Sequence, residues 1–225
     1  MRDFTKIKTL DDWATLDAPV ELESDEIPDV PDDQMILRML LRPKYGEFHI
    51  PENLSWMRDR IQGLARMDKA LTGISNSWCY ITVRSGMPFP TTDEWHFDGG
   101  SLRVELIPER NYIWCSKFGV QYKLGSVEYP DDFDPVKHNL FTYASKQVEE
   151  EPVHTAKEKT WYLLSPFCLH RRDPASNGHH RTFIRVSFID IEVRDVRCTP
   201  NPLFPTEAYN RDPVASFRDR LVDYP

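Results

Sequence analysis

The sequence has no long apolar run and no paired cysteines. Its 225 residues contain no stretch near the ~20 apolar residues that a membrane helix needs. Residues 1–6 lack the apolar core of a secretion signal, so we expect a cytoplasmic protein with no membrane partner. The cysteines form no CxxC pair, which argues against a zinc site or a disulfide framework and favours reduced, buried thiols. They are Cys79, Cys115, Cys168 and Cys198.

Glycine is scarce beside proline, with 9 glycines against 18 prolines. This balance indicates many short elements and structured loops, and therefore a β-rich body. A content of 40% apolar and 12% aromatic residues is typical of a folded globular protein. At this length we expect one domain that covers residues 1–225.

Basic residues are absent from residues 17–33, which contain eight acids and the prolines at 19, 28 and 31. The rest of the chain has 28 acids and 28 bases, so this segment accounts for the whole net charge of −8. We expect an extended, solvated connector here, with a lid over a binding site as the alternative. A globally acidic chain is also a poor non-specific binder of nucleic acid.

Hydrophobic periodicity predicts one helix followed by strands. Between Pro51 and Thr72 apolar residues recur at helical spacing and Gly73 follows, so a helix should pack there against a sheet. From Trp78 onward the pattern changes to short branched and aromatic runs that are typical of strands. The predicted strands cover residues 78–84, 102–107, 112–116, 120–123, 160–164 and 181–191, after a short apolar element at 35–41.

Two segments fall outside this pattern. Residues 124–158 are acidic and contain proline, which indicates an insertion between strands. Residues 199–225 contain five prolines and are expected to form a wrapped C-terminal tail that ends in a short helix.

His96 and Asp98 lie in the sequence Trp-His-Phe-Asp-Gly-Gly at residues 95–100. In an extended backbone side chains alternate with period two, so both residues should point to the same side. Asp-Gly-Gly alone would also suit a surface turn, but the flanking aromatic residues favour burial. A second histidine from a distant strand would complete three ligands on one face of a metal ion and leave the opposite positions open.

The candidate third ligand is His170. It lies just after the apolar run at 161–164, which is predicted to be a buried strand. His138 and His154 are rival third ligands, but neither is followed by a strand that carries an arginine.

Two arginines lie on the strand that follows His170. The polar loop at 171–178 leads into residues 181–191, where Arg181 and Arg185 share a face. An unpaired buried charge is costly, so these arginines need an anionic partner. A dicarboxylate ligand would supply it.

In their order along the chain, His96, Asp98, His170 and Arg181 resemble the pattern of the Fe(II)- and 2-oxoglutarate-dependent dioxygenases. That pattern is His-x-Asp, a distal histidine, and an arginine roughly a dozen residues later on the final core strand, often after a glycine turn such as Gly178. The resemblance covers residues 78–191. It implies a mainly β (α+β) fold with a double-stranded β-helix (jelly roll) core braced by N-terminal helices.

The resemblance also implies a role for each residue. His96, Asp98 and His170 would be the catalytic ligands of Fe(II). Arg181 would bind the distal carboxylate of 2-oxoglutarate, since arginine pairs with carboxylates in a bidentate geometry. Arg185 is the alternative anchor, or else a residue that binds the primary substrate. A hydroxyl is expected beside the anchor, and the candidates are Tyr80, Thr82, Ser116 and Ser187.

The implied reaction consumes dioxygen and 2-oxoglutarate, releases succinate and CO2, and hydroxylates a small-molecule or nucleotide-like substrate. Arg103 and Arg172 are candidates for binding an anionic substrate, although a surface position would explain them equally well. Two alternatives remain. One is a cupin-type metal-binding jelly roll with a non-oxidative or binding function, against which Arg181 argues. The other is an inactive scaffold for protein interaction, against which the intact triad argues.

Overall fold

The structure, a computed structural model, describes residues 9–27, 30–31, 33–86, 94–98, 109–135, 137–193, 197–205 and 222–224. In this part of the chain no helix is long and apolar enough to cross a membrane. All four cysteines are buried and form no disulfide, as expected.

The described residues form eleven strands and two α-helices. The strands are β1 (Thr15–Leu16), β2 (Val20–Ser24), β3 (Met35–Arg42), β4 (Trp78–Gly86), β5 (Arg110–Cys115), β6 (Gln121–Lys123), β7 (Gly125–Ser126), β8 (His154–Thr155), β9 (Thr160–Leu164), β10 (Leu169–Arg171) and β11 (Arg181–Ile189). The helices are α1 (Arg58–Thr72) and α2 (Leu140–Gln147). The prediction of a mainly β chain is therefore confirmed. The strand predicted at 102–107 and the short helix predicted near the C-terminus lie outside the described residues.

The large sheet has six antiparallel strands in the order β2-β9-β5-β11-β4-β3. Successive side chains of β11 point to opposite sides of the sheet, so the strand has two faces. Ile184, Val186 and Phe188 belong to the main core, which also contains Ile61 and Leu64 of α1. The helix predicted over 51–72 begins as a 3₁₀ turn at Glu52–Met57, continues as α1 and ends at Gly73, whose φ of 72° is left-handed. The outer face of the large sheet is thus covered by α1.

The small sheet has three antiparallel strands in the order β10-β6-β8. Its outer face packs against α2, because Leu169 shares an apolar cluster with Leu140 and Ala144. Helix α2 begins at Asn139, whose side chain accepts hydrogen bonds from two amides of the first turn. The N-terminal helix α1 packs on the large sheet, as expected. The small sheet is instead covered by α2, which lies within residues 124–158.

A separate apolar cluster lies between the two sheets. It joins Ile113 and Leu164 of the large sheet to Val120, which precedes β6, with Tyr122 and Phe183 packed against it. The inner faces of the two sheets therefore face each other, and β11 presents Arg181 and Arg185 to the space between them.

The acidic segment at 17–33 is extended and mostly exposed in its described residues, and part of it pairs with the large sheet. It contains β2, an edge strand hydrogen-bonded to β9. Glu21 pairs with Lys157 at 2.7 Å, and Glu26 with Lys159 at 2.9 Å. Composition could not indicate these pairs, because each lysine lies more than 130 residues along the chain from its acid. Exposed charges on an edge strand also discourage pairing with another chain.

A buried ion pair joins α1 to β5. Arg110 donates to Asp68 through Nε at 2.9 Å and through Nη2 at 3.0 Å. The hydroxyl of Tyr112 donates to the same carboxylate at 3.1 Å, and Arg110 also donates to the hydroxyl of Ser77 at 2.8 Å. Burial raises the pKa of Asp68 even though Arg110 and Tyr112 oppose that shift. The helix is held at one register on the sheet by this network.

We expect Asp68→Ala to lower the free energy of unfolding by about 3–5 kcal/mol, because it leaves the buried Arg110 without its anion. Urea denaturation followed by circular dichroism measures the change. The matched control is Asp59→Ala, which removes an exposed acid from the same helix and should change stability by less than about 0.5 kcal/mol. Equal stability of the two variants would contradict the role given to the pair.

Candidate metal centre

His96, Asp98 and His170 come together in the space between the sheets. Their ligand atoms all lie within 4.8 Å of one another. The two histidines form an antiparallel bridge, with backbone hydrogen bonds of 2.9 and 3.0 Å in the two directions. Residues directly opposite in such a pair share a face, and Asp98 follows His96 by two residues on the same side. Among the described residues, these three side chains are the one group of histidine, cysteine, aspartate or glutamate that could hold a metal ion.

The hydrogen bonds of both imidazoles fix their tautomers. Nδ1 of His96 lies 2.9 Å from the carbonyl oxygen of Glu94, and Nδ1 of His170 lies 2.9 Å from that of Cys168. A carbonyl oxygen accepts hydrogen bonds and does not donate, so each Nδ1 carries the proton. In a neutral ring Nε2 then holds the lone pair, which is the donor that a metal ion requires.

Asp98 is 7% exposed and is held by Arg185. Nη1 of Arg185 donates to both carboxylate oxygens, at 2.9 and 2.8 Å, and Nε2 of His170 lies 3.5 Å from Oδ2. Burial by itself raises the pKa of Asp98, but Arg185, together with the neighbouring His170 and His96, holds that pKa well below its ordinary value. Asp98 is therefore an anion across the working pH range. A carboxylate has enough lone pairs to accept from Arg185 and still bind a metal.

The donor set suits a divalent transition metal. Two neutral imidazoles and one carboxylate on one face are the ligands of non-haem Fe(II), with coordination positions left for other ligands. The backbone carbonyls that fix the histidine rings supply the outer support that metal-binding histidines usually have. The site could thus hold a metal ion.

Arg181 lies on the same face of β11 as Arg185 and is 7% exposed. It donates through Nε to the carbonyl of Lys117 at 3.1 Å and through Nη2 to the sulfur of Cys115 at 2.9 Å. Burial raises the pKa of the Cys115 thiol although Arg181 opposes the shift, so this partner is neutral. Among the described residues Arg181 has hydrogen bonds but no carboxylate partner.

The hydroxyl groups that were predicted to lie beside the anchor make hydrogen bonds to other residues of the protein. The hydroxyl of Tyr80 accepts a hydrogen bond from the amide of Val193, and that of Ser116 accepts one from the amide of Thr182, both at 2.9 Å. Oγ of Thr82 accepts one from the amide of Arg38 at 3.1 Å. All three hold neighbouring backbone in place.

The fourth candidate, Ser187, leads to a residue that the sequence reasoning missed. Its hydroxyl donates to Oδ1 of Asn111 at 2.5 Å, and Asn111 is 0% exposed. In the described part of the chain, Nδ2 of Asn111 and Nε of Arg185 are buried donors without an acceptor. The predicted strand began at 112, two residues after the observed start of β5 at Arg110, so Asn111 was left outside it. A polar residue next to the apolar run Tyr-Ile-Trp-Cys was the available signal.

Tyr122 is a second missed residue. It lies directly opposite His170 in the small sheet, so the two side chains share the inner face. Burial raises the pKa of its phenol, which therefore remains a hydrogen-bond donor at neutral pH. Tyr122 lies within a predicted strand, but only the strand pairing shows that it stands beside the triad.

The remaining predicted residues lie elsewhere. Arg103 is outside the described residues, and Arg172 donates to Asn177 at 2.8 Å. The rival histidines are not part of the triad. Nδ1 of His138 accepts a hydrogen bond from the amide of Asp134 at 2.9 Å, and His154 is exposed and stacks on Tyr122.

Comparison with known proteins leaves the family open. No protein-family model matches this sequence, and no curated protein matches it. Among solved structures, the crystal structure of AviO1 from Streptomyces viridochromogenes Tue57 is similar over 80% of this chain and 78% of that chain, at 19% identity and a TM-score of 0.39. A likeness at that level carries no conclusion about what this chain does.

We expect the protein to bind one divalent transition-metal ion per chain, and His170→Ala to abolish tight binding because it removes one of the three candidate ligands. Anaerobic titration with Fe(II), or with Co(II) as an optical probe, measures the stoichiometry and affinity. The matched control is His154→Ala, an exposed histidine of the small sheet. Unchanged affinity in both His170→Ala and His96→Ala would contradict a metal site at the triad.

Proposed function

We propose that this protein is an Fe(II)- and 2-oxoglutarate-dependent dioxygenase that hydroxylates an anionic or nucleotide-like small molecule. The observation that carries the proposal is the triad with both Nε2 atoms set as metal donors, beside a strand that carries one buried and one partly buried arginine. A metal site alone would fit a cupin-type protein, but the arginines add a reason for a dicarboxylate to bind next to the metal.

The strand order supports a double-stranded β-helix as the core of a single domain. Strands β9, β5 and β11 of the large sheet pack against β6 of the small sheet through one apolar cluster, and His96 is bridged to the free side of β10. Two facing antiparallel sheets with ligands from adjacent strands of one of them are what this fold requires.

In the proposed enzyme His96, Asp98 and His170 would hold the metal. When bound, Fe(II) would supply the activation of dioxygen that couples conversion of 2-oxoglutarate to succinate and CO2 with hydroxylation of the substrate. The protein's part is to keep each Nδ1 protonated, to keep Asp98 ionised through Arg185, and to exclude water between the sheets.

Arg181 is the better anchor for the distal carboxylate. Arg185 already has an anion, Asp98, whereas the described partners of Arg181 are a carbonyl and a neutral thiol. A buried cation without an anion is unfavourable, so Arg181 has more to gain from a ligand carboxylate. The phenol of Tyr122 is a hydroxyl on the opposite sheet that could donate to the same ligand.

Asn111 and Arg185 supply donors for a second acceptor. They lie on adjacent strands on the inner face, because Asn111 is opposite Ser187 and Arg185 is two residues before it. A buried donor left unsatisfied costs about 1–3 kcal/mol. An oxygen-rich group such as the 1-carboxylate of a 2-oxo acid would satisfy both Nδ2 of Asn111 and Nε of Arg185.

We expect Arg181→Ala to weaken 2-oxoglutarate binding by a few hundredfold or more, which corresponds to roughly 3–5 kcal/mol for a buried charge left unpaired. Iron affinity should barely change, since Arg181 is not a ligand. Anaerobic titration of the Fe(II) protein, followed through its visible charge-transfer band, measures cosubstrate binding.

The outcomes of that titration separate the alternatives. A loss in Arg185→Ala but not in Arg181→Ala would make Arg185 the distal anchor. A wild-type protein that binds iron but shows no band with 2-oxoglutarate would exclude the cosubstrate and leave the cupin-type function.

We expect Asn111→Asp to weaken the binding of 2-oxo acids about a hundredfold, because it replaces the Nδ2 donor with an oxygen that repels a carboxylate. The change keeps an acceptor for Ser187, so the hydrogen bond inside the sheet survives. Titration with 2-oxobutyrate, which lacks the distal carboxylate, separates the two subsites. Its affinity should fall in Asn111→Asp and not in Arg181→Ala, and the reverse result would contradict the assignment.

A further inference from the structure

Arg84 completes a group of three arginines on the inner face of the large sheet. Its register partner on β11 is Phe183, which lies midway between Arg181 and Arg185. Residues directly opposite in an antiparallel pair share a face, and diagonal neighbours are about 7–8 Å apart. Arg84 is therefore a neighbour of both buried arginines.

Arg84 differs from these neighbours in exposure and in partners. It is exposed, whereas Arg181 is buried and Arg185 is partly buried, and it has no hydrogen bond or ion pair with any residue that the structure describes. Met35 of β3 is its register partner on the other side, so apolar side chains lie on both flanks. The guanidinium is open to solvent at the edge of the site.

The electrostatic surroundings of Arg84 are unfavourable without an anion. Burial of part of the group lowers the pKa of Arg84, and the charges of Arg185, Arg172 and Arg181 lower it further, while Asp98 opposes them. An arginine remains charged despite such a shift, so the repulsion persists. Cations gathered in this way are typical of a site that binds an anion.

The proposed cosubstrate does not neutralise the group. The two charges of Fe(II) and the two of 2-oxoglutarate cancel, and Asp98 compensates one of the three arginines. The nearby Arg38 pairs with Glu109 at 3.0 Å and adds no net charge. Two of these three arginine charges are then uncompensated by Asp98 or Glu109, and Arg84 is the most exposed of the three.

We propose that Arg84 binds an anionic group, a carboxylate or a phosphate, of the primary substrate. This inference rests on the proposed function, because it assigns the buried arginines to the cosubstrate and the exposed one to the molecule that enters afterwards. It narrows the substrate to small molecules that carry an acidic group. Neutral analogues of such a substrate would lack the contact.

The test uses the anaerobic Fe(II) protein saturated with 2-oxoglutarate, so that the cosubstrate fills its own subsites. Inorganic phosphate and acetate are titrated separately, by calorimetry and by the shift of the charge-transfer band. We expect Arg84→Gln to weaken the binding of the preferred anion about tenfold and to leave 2-oxoglutarate affinity unchanged. The control is Arg66→Gln, an exposed arginine of α1 that should behave as wild type. The anion that depends more on Arg84 identifies the acidic group.

Two results would overturn the proposal. One is anion binding that is absent from the wild type or equal in Arg84→Gln. The other is a loss of 2-oxoglutarate affinity in Arg84→Gln, which would place Arg84 in the cosubstrate subsite. If the wild-type Fe(II) protein shows no charge-transfer band with 2-oxoglutarate, the proposed function itself is contradicted instead. In that case phosphate calorimetry on the metal-loaded wild type and Arg84→Gln still decides whether Arg84 binds anions.

Discussion

The candidate site depends on the ion pair between Asp98 and Arg185. His96 and His170 are fixed to each other by backbone hydrogen bonds of the small sheet, but Asp98 is tied to the large sheet through Arg185. The pair therefore sets how the ligand-bearing segment is placed against β11. Removing one partner of a buried pair leaves an uncompensated charge, so each side chain constrains the other. The same contact keeps Asp98 anionic, which is the state that a metal ligand must have.

Support for this arrangement comes from the far side of the large sheet. Arg110 and Asn111 are consecutive residues of β5, so their side chains point to opposite faces. Arg110 is fixed to Asp68 of α1, and Asn111 faces the space between the sheets. Because a one-residue slip would exchange the two faces, the buried pair under α1 also keeps the Asn111 amide directed at the site. Stability and ligand binding are thus coupled along one strand.

Local rules were enough to predict part of this site. Period two placed His96 with Asp98 and Arg181 with Arg185, and the described backbone agrees in both cases. Local rules could not predict which distant strands pair with each other. Tyr122 stands beside His170, and Arg84 between two arginines, only because of registers that no local pattern contains. The ion pairs of the acidic segment were out of reach for the same reason, since the lysine partners are distant in sequence. Asn111, by contrast, directly precedes a predicted strand and could have been predicted from the sequence.

Net charge was the least informative sequence property for this site. The acids of residues 17–33 that form ion pairs lie on or next to β2, at one edge of the large sheet, while the arginines lie on β11 and β4. Three strand spacings separate β2 from β11, or about 14 Å at ~4.8 Å each. That exceeds the screening length of about 8 Å at physiological ionic strength, and the acids already have basic partners. The acids of this segment therefore do not neutralise the arginines between the sheets, and the net charge of −8 does not describe the surroundings of Arg84.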